Sequence, residues 1–151
     1  MSEHRVQLHW ARESPAFDYA AYNRSHAATF KNGQTLKMSA APAYKGDPSL
    51  VDPEEAFVAS LSSCHMLTFL AIASRKGLVV DRYVDEAVGI LEKNEEGRLA
   101  ITRVTLRPRI DFGGSAPDEA AINDMHDESH HQCFIANSVK THITVESPAA
   151  V

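Results

Sequence analysis

Two cysteines are the residues of this chain best suited to do chemistry. Cys64 lies inside the most apolar stretch of the sequence, and Cys133 lies far downstream. Two thiols that meet in the folded chain can form a reversible disulfide, which makes the chain a candidate redox protein. Two other interpretations stay open, namely a pair of inert packed cysteines and a pair of metal ligands.

The ionisation of Cys64 decides whether it can react. The nucleophile is the thiolate, and burial among apolar side chains raises the pKa of a thiol and keeps it protonated. A reactive Cys64 therefore requires a cationic side chain close to its sulfur.

Glu54 is a second candidate residue, and its distance from Cys64 is informative. It precedes Cys64 by ten residues, so on one straight helix the two lie about 15 Å apart along the axis. If both serve one site, Glu54 must reach across from another subunit. The plainer interpretation is an acid that stabilises the first turn of a helix.

A group of histidines offers a rival site. His126, His130 and Cys133 are spaced at i, i+4 and i+7, which is one face of a helix, and His65 directly follows Cys64. Such a set could hold zinc or another transition ion. The chain has no HExxH motif and no CxxC pair, so a solvated helix end is the competing explanation.

Composition limits the class of protein. The 151 residues suit a single domain spanning 1–151, with 44% apolar and 23% charged residues. The net charge of −5 and the lack of a basic cluster argue against a nucleic-acid partner. The N-terminal residues lack the pattern of a secretory signal, so we expect a cytoplasmic protein whose thiols rest reduced.

One segment approaches the length of a membrane span. Residues 56–74 carry no formal charge, but they include several serines, a threonine, Cys64 and His65. This polarity favours a buried central helix, and we expect no membrane partner.

The pattern of elements predicts an α+β fold of antiparallel sheets packed with two principal helices. Asp52, Pro53 and Glu55 mark a helix start with a capping box, and Pro117 to Glu119 open a second helix. The remaining segments alternate and turn as strands do. The predicted strands are Val6–Trp10, His26–Phe30, Thr35–Met38, a long hairpin of Leu78–Leu91 with Leu99–Phe112, and an edge strand at Thr141–Glu146.

Two stretches of the sequence resemble a known family. The residues from Asp52 to Cys64 (DPEEAFVASLSSC) are similar to the cysteine helix of the osmotically inducible protein C / organic hydroperoxide resistance (OsmC/Ohr) superfamily. The residues from His130 to Ser138 (HHQCFIANS) resemble its second-cysteine segment. The order of elements also matches, so the resemblance covers nearly the whole chain and implies an intertwined homodimer.

The resemblance also implies a reaction. Cys64 would attack an organic hydroperoxide, release the alcohol and become a sulfenic acid, and Cys133 would resolve it as a disulfide. An external dithiol, a lipoylated protein in some members, would then reduce the disulfide. Arg24 would stabilise the thiolate and Glu54 would orient Arg24. No metal, flavin or haem is implied, and the expected role is a peroxidase of the oxidative stress response.

The chain departs from the family pattern at several positions. Phe134 follows Cys133 where the family has proline, and Asp52 replaces asparagine. Arg24 matches the arginine of the organic hydroperoxide branch, whereas the loop that carries the arginine in the osmotic branch offers Lys45. The alternative function is a non-catalytic domain of the same fold that binds a hydrophobic ligand or senses redox state.

Overall fold

The described part of the chain is residues 1–146 of a computed structural model, and residues 147–151 of the predicted domain lie outside it. It contains two α-helices and eight strands. The chain forms two compact units, Met1–Ala56 and a unit that begins at Phe57, so a single domain over 1–151 stays a prediction.

The elements are β1 (Val6–His9), β2 (His26–Phe30), β3 (Thr35–Met38), α1 (Pro53–Arg75), β4 (Val79–Asp85), β5 (Val88–Lys93), β6 (Leu99–Leu106), β7 (Pro108–Gly113), α2 (Glu119–Gln132) and β8 (His142–Val145).

The first unit is built on a three-stranded antiparallel sheet in the order β1-β2-β3. The turn between β2 and β3 contains Asn32 and Gly33, whose φ angles are 69° and 74°. Asparagine and glycine adopt this left-handed region more readily than other residues do. The Asn-Gly pair thus turns the chain where the sequence predicted a turn.

Helix α1 begins and ends as the sequence predicted. Its N-terminus has a complete capping box, in which the Glu55 N–H donates to Asp52 Oδ1 at 2.8 Å and the Asp52 N–H donates to Glu55 Oε2 at 3.1 Å. At its C-terminus Gly77 has a φ of 74°, and the Leu78 N–H donates to the Ala73 carbonyl at 3.0 Å. This is a Schellman motif, and it satisfies carbonyls at the helix end.

The predicted long hairpin forms, but it is divided into two ladders. Strand β4 pairs with β7 and β5 pairs with β6, both antiparallel, with partners running from Val79 opposite Gly113 to Lys93 opposite Leu99. The division falls at Asp85, whose carboxylate accepts a hydrogen bond from the Arg107 N–H at 2.6 Å. A side chain thus replaces a ladder bond there, which the alternation of the sequence did not reveal.

Helix α2 and strand β8 complete the second unit. Asp118 caps α2 by accepting a hydrogen bond from the Ala121 N–H at 2.8 Å. Strand β8 lies at the edge of the sheet β5-β6-β8, as predicted, but it runs parallel to β6. A parallel pair requires a crossover, and the chain between β6 and β8 supplies one that contains α2.

Helix α1 contributes residues to two groups of buried side chains. Phe69, Ile72 and Ala73 pack with Met125 of α2, and Leu61 packs with Val104 and Leu106 of β6. By length and composition alone α1 could cross a membrane. One side of α1 lies in these two clusters, whereas only 28% of its most apolar stretch is buried, so a fully buried central helix stays a prediction.

Candidate active site

The two cysteines meet in the second unit. Cys64 lies within α1 and is partly buried, whereas Cys133 directly follows α2 and is 1% exposed. Both are free thiols, and they lie close enough for Cys64 to raise the pKa of Cys133. Formation of a disulfide between them therefore requires no large movement of either helix.

The surroundings of Cys133 keep its proton in place. Burial, and after it the neighbouring Cys64 thiol, raise the pKa of the Cys133 thiol to about 11, against the opposing effect of the Ala136 and Ile135 N–H groups. The Ala136 N–H donates to the Cys133 sulfur at 3.4 Å. The Cys133 thiol therefore stays protonated at neutral pH.

Helix α1 is fixed to the hairpin close to Cys64. The Ser62 hydroxyl donates to Asp85, the carboxylate that also receives the Arg107 N–H. The hydroxyl of Thr68 donates to the Cys64 carbonyl at 2.8 Å. The backbone around Cys64 is therefore held by the Thr68 bond within α1 and by the Ser62–Asp85 bond at the junction of the two ladders.

Arg24 lies in the first unit, two residues before β2. Its guanidinium carbon is 3.8 Å from the centre of the Tyr22 ring and 5.0 Å from that of Tyr19. The guanidinium also donates to the main-chain carbonyls of the same two tyrosines. Stacking and hydrogen bonding together fix the direction in which this cation points.

Glu54 lies in the first turn of α1, with its Oε2 atom buried and without a hydrogen-bond partner among residues 1–146. Within that range no ion pair joins Glu54 to Arg24. Of the four predicted site residues, the fold brings Cys64 and Cys133 together and does not pair Arg24 with Glu54 inside one chain. The roles of Arg24 and Glu54 stay predictions.

The sequence did not indicate a buried histidine pair beside the thiols. His65 Nε2 and His126 Nδ1 are 3.0 Å apart, and the two rings are stacked with an interplanar angle of 15°. Burial lowers the pKa of each ring to about 4, and the neighbouring His126 also lowers that of His65. The spacing of His65 between Leu61 and Phe69, both buried in α1, is the signal that could have predicted its burial.

The rival metal site does not form in the part of the chain that the structure describes. Within residues 1–146 no three histidine, cysteine, aspartate or glutamate side chains converge in a way that could hold a metal ion. One nitrogen of His65 and one of His126 are bonded to each other instead.

A comparison with protein-family models shows the family to which the chain belongs. The family model described as OsmC-like protein matches residues 46–147, which is more than half of the chain. The chain belongs to the OsmC-like family. A comparison with curated proteins finds no match.

Solved structures of OsmC-like proteins share this fold. An OsmC-like protein of unknown function from Vibrio cholerae is 45% identical, with a TM-score of 0.94 over 98% of this chain and 100% of that one. An organic hydroperoxide resistance protein from Legionella pneumophila is 14% identical, with a TM-score of 0.71 over 100% and 98%. Another of that description from Bacillus subtilis is 17% identical, with a TM-score of 0.69 over 97% and 98%.

The residue after the second cysteine distinguishes this OsmC-like chain from the family pattern. Phe134 occupies the place of the usual proline, and its side chain is 82% exposed. The Asn137 N–H donates to the Cys133 carbonyl at 3.0 Å, and the Ser138 hydroxyl donates to the Phe134 carbonyl at 2.6 Å. These bonds hold the turn after Cys133 without a proline.

Proposed function

We propose that this protein is a thiol-dependent peroxidase that reduces organic hydroperoxides to alcohols through Cys64 and Cys133. The observation that carries the proposal is that the two thiols lie close together, Cys64 partly exposed and Cys133 buried with a raised pKa. The names of the Legionella and Bacillus proteins, which share the fold, agree with this function.

The chemistry needs only the two sulfurs, the peroxide and a dithiol. The Cys64 thiolate attacks the peroxide oxygen that carries hydrogen, the O–O bond breaks, and the alkoxide takes a proton to leave as alcohol. The Cys133 thiol then attacks the sulfenic sulfur of Cys64, its proton joins the departing hydroxide as water, and a disulfide forms. An external dithiol, for which a lipoylated protein is the candidate, supplies two electrons and two protons to restore both thiols in the cytoplasm.

Arg24 and Glu54 complete the proposed site. A guanidinium beside the Cys64 sulfur would favour the thiolate, and a carboxylate beside the guanidinium would fix its orientation. The Glu54 Oε2 atom is buried and has no partner among residues 1–146. Because buried carboxylate oxygens are normally paired, this supports a cationic neighbour that residues 1–146 of the same chain do not supply. Since Glu54 and Cys64 are about 15 Å apart along α1, we propose that one site draws these residues from two subunits.

The surface of α1 supports the proposed homodimer. The side chains that α1 leaves exposed include Ala59, Ser63, Leu67 and Ala71, a small and largely apolar face, and Leu67 is 61% exposed. Such a face on a long helix is commonly covered by a partner. Sedimentation should therefore detect a dimer that Leu67→Glu weakens and Leu67→Ala preserves, whereas a wild-type monomer at all concentrations contradicts this part of the proposal.

Turnover of cumene hydroperoxide with a dithiol reductant tests the function. We expect Cys64→Ser to abolish turnover, and mass spectrometry of the wild type after one equivalent of peroxide should find a Cys64–Cys133 bond. Undiminished activity of Cys64→Ser would end the peroxidase assignment. Rapid oxidation of both cysteines without turnover would instead identify a redox-sensing domain.

A further inference from the structure

The proposed chemistry leaves the His65–His126 pair without a task, although the pair lies between the two elements that carry the thiols. His65 directly follows Cys64 in α1, and His126 lies on α2 seven residues before Cys133. The outer ring nitrogens, His65 Nδ1 and His126 Nε2, are buried and have no partner among residues 1–146. A buried polar pair that is incompletely satisfied is costly, which calls for an explanation.

Each sulfur is fixed to its own element. The Cys64 sulfur is carried by an uninterrupted helix, and the Cys133 sulfur accepts the Ala136 N–H of its own turn. The distance between the sulfurs therefore depends on how α1 lies against α2. An error of about 1 Å in such an arrangement is enough to slow a reaction strongly.

Within residues 1–146, one polar contact joins α1 to α2 and another joins α2 to the residue that follows α1, and the two differ in strength. Lys76 and Glu128 form an exposed ion pair at 3.8 Å, and such pairs fix little because water competes for them. The His65–His126 bond is buried, only 3% of His126 is exposed, and hydrogen bonds are directional. The His126 ring is also held by Phe69, with ring centres 4.6 Å apart, so it cannot turn freely to follow a shift of α1.

We propose that the His65–His126 hydrogen bond positions the Cys64 and Cys133 thiols for disulfide formation. The two histidines are positioning residues, because they act by fixing α1 against α2 beside the sulfurs. The inference rests on one step of the proposed function, which is the formation of the disulfide. It holds for any oxidant that oxidises the two thiols.

Two substitutions at position 126 separate the hydrogen bond from packing. His126→Asn keeps a polar atom where Nδ1 stands and loses the ring that packs on Phe69. His126→Phe keeps an aromatic ring against Phe69 and leaves His65 Nε2 without its partner. A role in positioning and a role in packing therefore predict opposite rankings of the two variants.

The thiol–disulfide equilibrium provides the measurement. Purified protein is equilibrated with mixtures of reduced and oxidised dithiothreitol, so that the two protein thiols pass two electrons and two protons to the cyclic disulfide. The mixture is quenched by alkylation, and mass spectrometry then gives the ratio of disulfide to dithiol protein. We expect His126→Phe to lower the equilibrium constant for the Cys64–Cys133 bond about fivefold to tenfold, the effect of one lost hydrogen bond, and His126→Asn to stay near wild type. A value for His126→Phe within twofold of wild type, or an equal fall in His126→Asn, overturns the proposal.

A measurement on the wild type covers the case in which His126→Phe does not fold. If the hydrogen bond favours the disulfide, the disulfide must favour the hydrogen bond by the same factor. Solvent exchange of the shared imidazole proton, followed by NMR, should therefore slow about fivefold to tenfold on oxidation, and an unchanged rate contradicts the inference. Neither experiment uses a peroxide, so a failure of the peroxidase assignment can be told apart from a failure of this one.

Discussion

The Arg24 guanidinium stacks on the Tyr22 ring, with its central carbon 3.8 Å from the ring centre, and donates to the main-chain carbonyl of Tyr22. A second donation goes to the Tyr19 carbonyl. Both depend on the planar fork of a guanidinium, whose shape an ammonium lacks. The direction of this cation is thus set by its own loop and does not depend on a substrate.

Arg24→Lys should therefore be a severe substitution although it keeps the charge. The lysine cannot stack flat on Tyr22 while it donates to two carbonyls, so the cation would lose its fixed direction. We expect kcat/KM for cumene hydroperoxide to fall about tenfold or more, as when a preorganised donor is removed from an active site. Arg12→Lys is the matched control, because Arg12 also donates to two carbonyls of this loop, those of Ser14 and Pro15. Equal activities of the two variants would show that Arg24 does no more than hold its loop.

Cys133→Ser should separate the two steps of the reaction. The serine cannot close a disulfide, so the Cys64 sulfenic acid should accumulate after one equivalent of hydroperoxide and react with dimedone. One molecule of alcohol should be released per active site without further turnover. Cys64→Ser is the control and should give neither product. An adduct on Cys133 in place of Cys64 would reverse the roles assigned to the two cysteines.

Local chemistry made the helix boundaries predictable. Asp52 and Glu55 bond each other's backbone N–H groups, and Gly77 adopts the left-handed conformation at the other end of α1. These signals act within a few residues, so they can be read without knowledge of the rest of the fold. The Asn-Gly turn after β2 belongs to the same class.

Contacts between distant residues were harder to predict. The division of the hairpin depends on Asp85 meeting the Arg107 N–H, and the histidine pair depends on His65 meeting His126. Spacing placed His126 and His130 on one face of α2 but did not tell which element that face meets. Because the element that packs against this face was unknown, a metal site was one possible use of these histidines.

The buried histidines should make the protein sensitive to acid. Both pKa values are lowered from 6.5 to about 4 in the folded chain, so the unfolded chain binds more protons between these values. The free energy of unfolding should then rise with pH in this window and fall as the pH drops from 6.5 towards 4. A lowering of this size is worth about 3 kcal/mol for one histidine.

Urea denaturation at a series of pH values provides the check. The double substitution His65→Gln with His126→Asn should flatten the dependence between pH 4 and 6.5, because two amides can keep a hydrogen bond without titrating. His131→Asn is the control, since His131 is exposed, and it should leave the slope unchanged. A double variant as acid-sensitive as the wild type would place the titration elsewhere in the chain.

Gly89 of β5 allows α1 to approach the sheet closely. A Cβ atom at this position would lie 2.5 Å from Val58 Cγ2 and 3.4 Å from Ile101 Cγ2. The Val58 side chain is short and branched, so it cannot move aside without displacing the helix that carries Cys64. We expect Gly89→Ala to lower the free energy of unfolding by about 1–3 kcal/mol, which is typical of an overpacked core.

A double-mutant cycle shows whether Val58 is the cause of that loss. Val58→Ala alone should cost about 1–2 kcal/mol through the lost methyl groups. Added to Gly89→Ala it should remove the clash, so the double variant should be more stable than the sum of the two single effects by about 1 kcal/mol or more. Chemical denaturation of the four proteins gives the coupling energy. Strictly additive effects would mean that the strand, and not α1, accommodates the added methyl group.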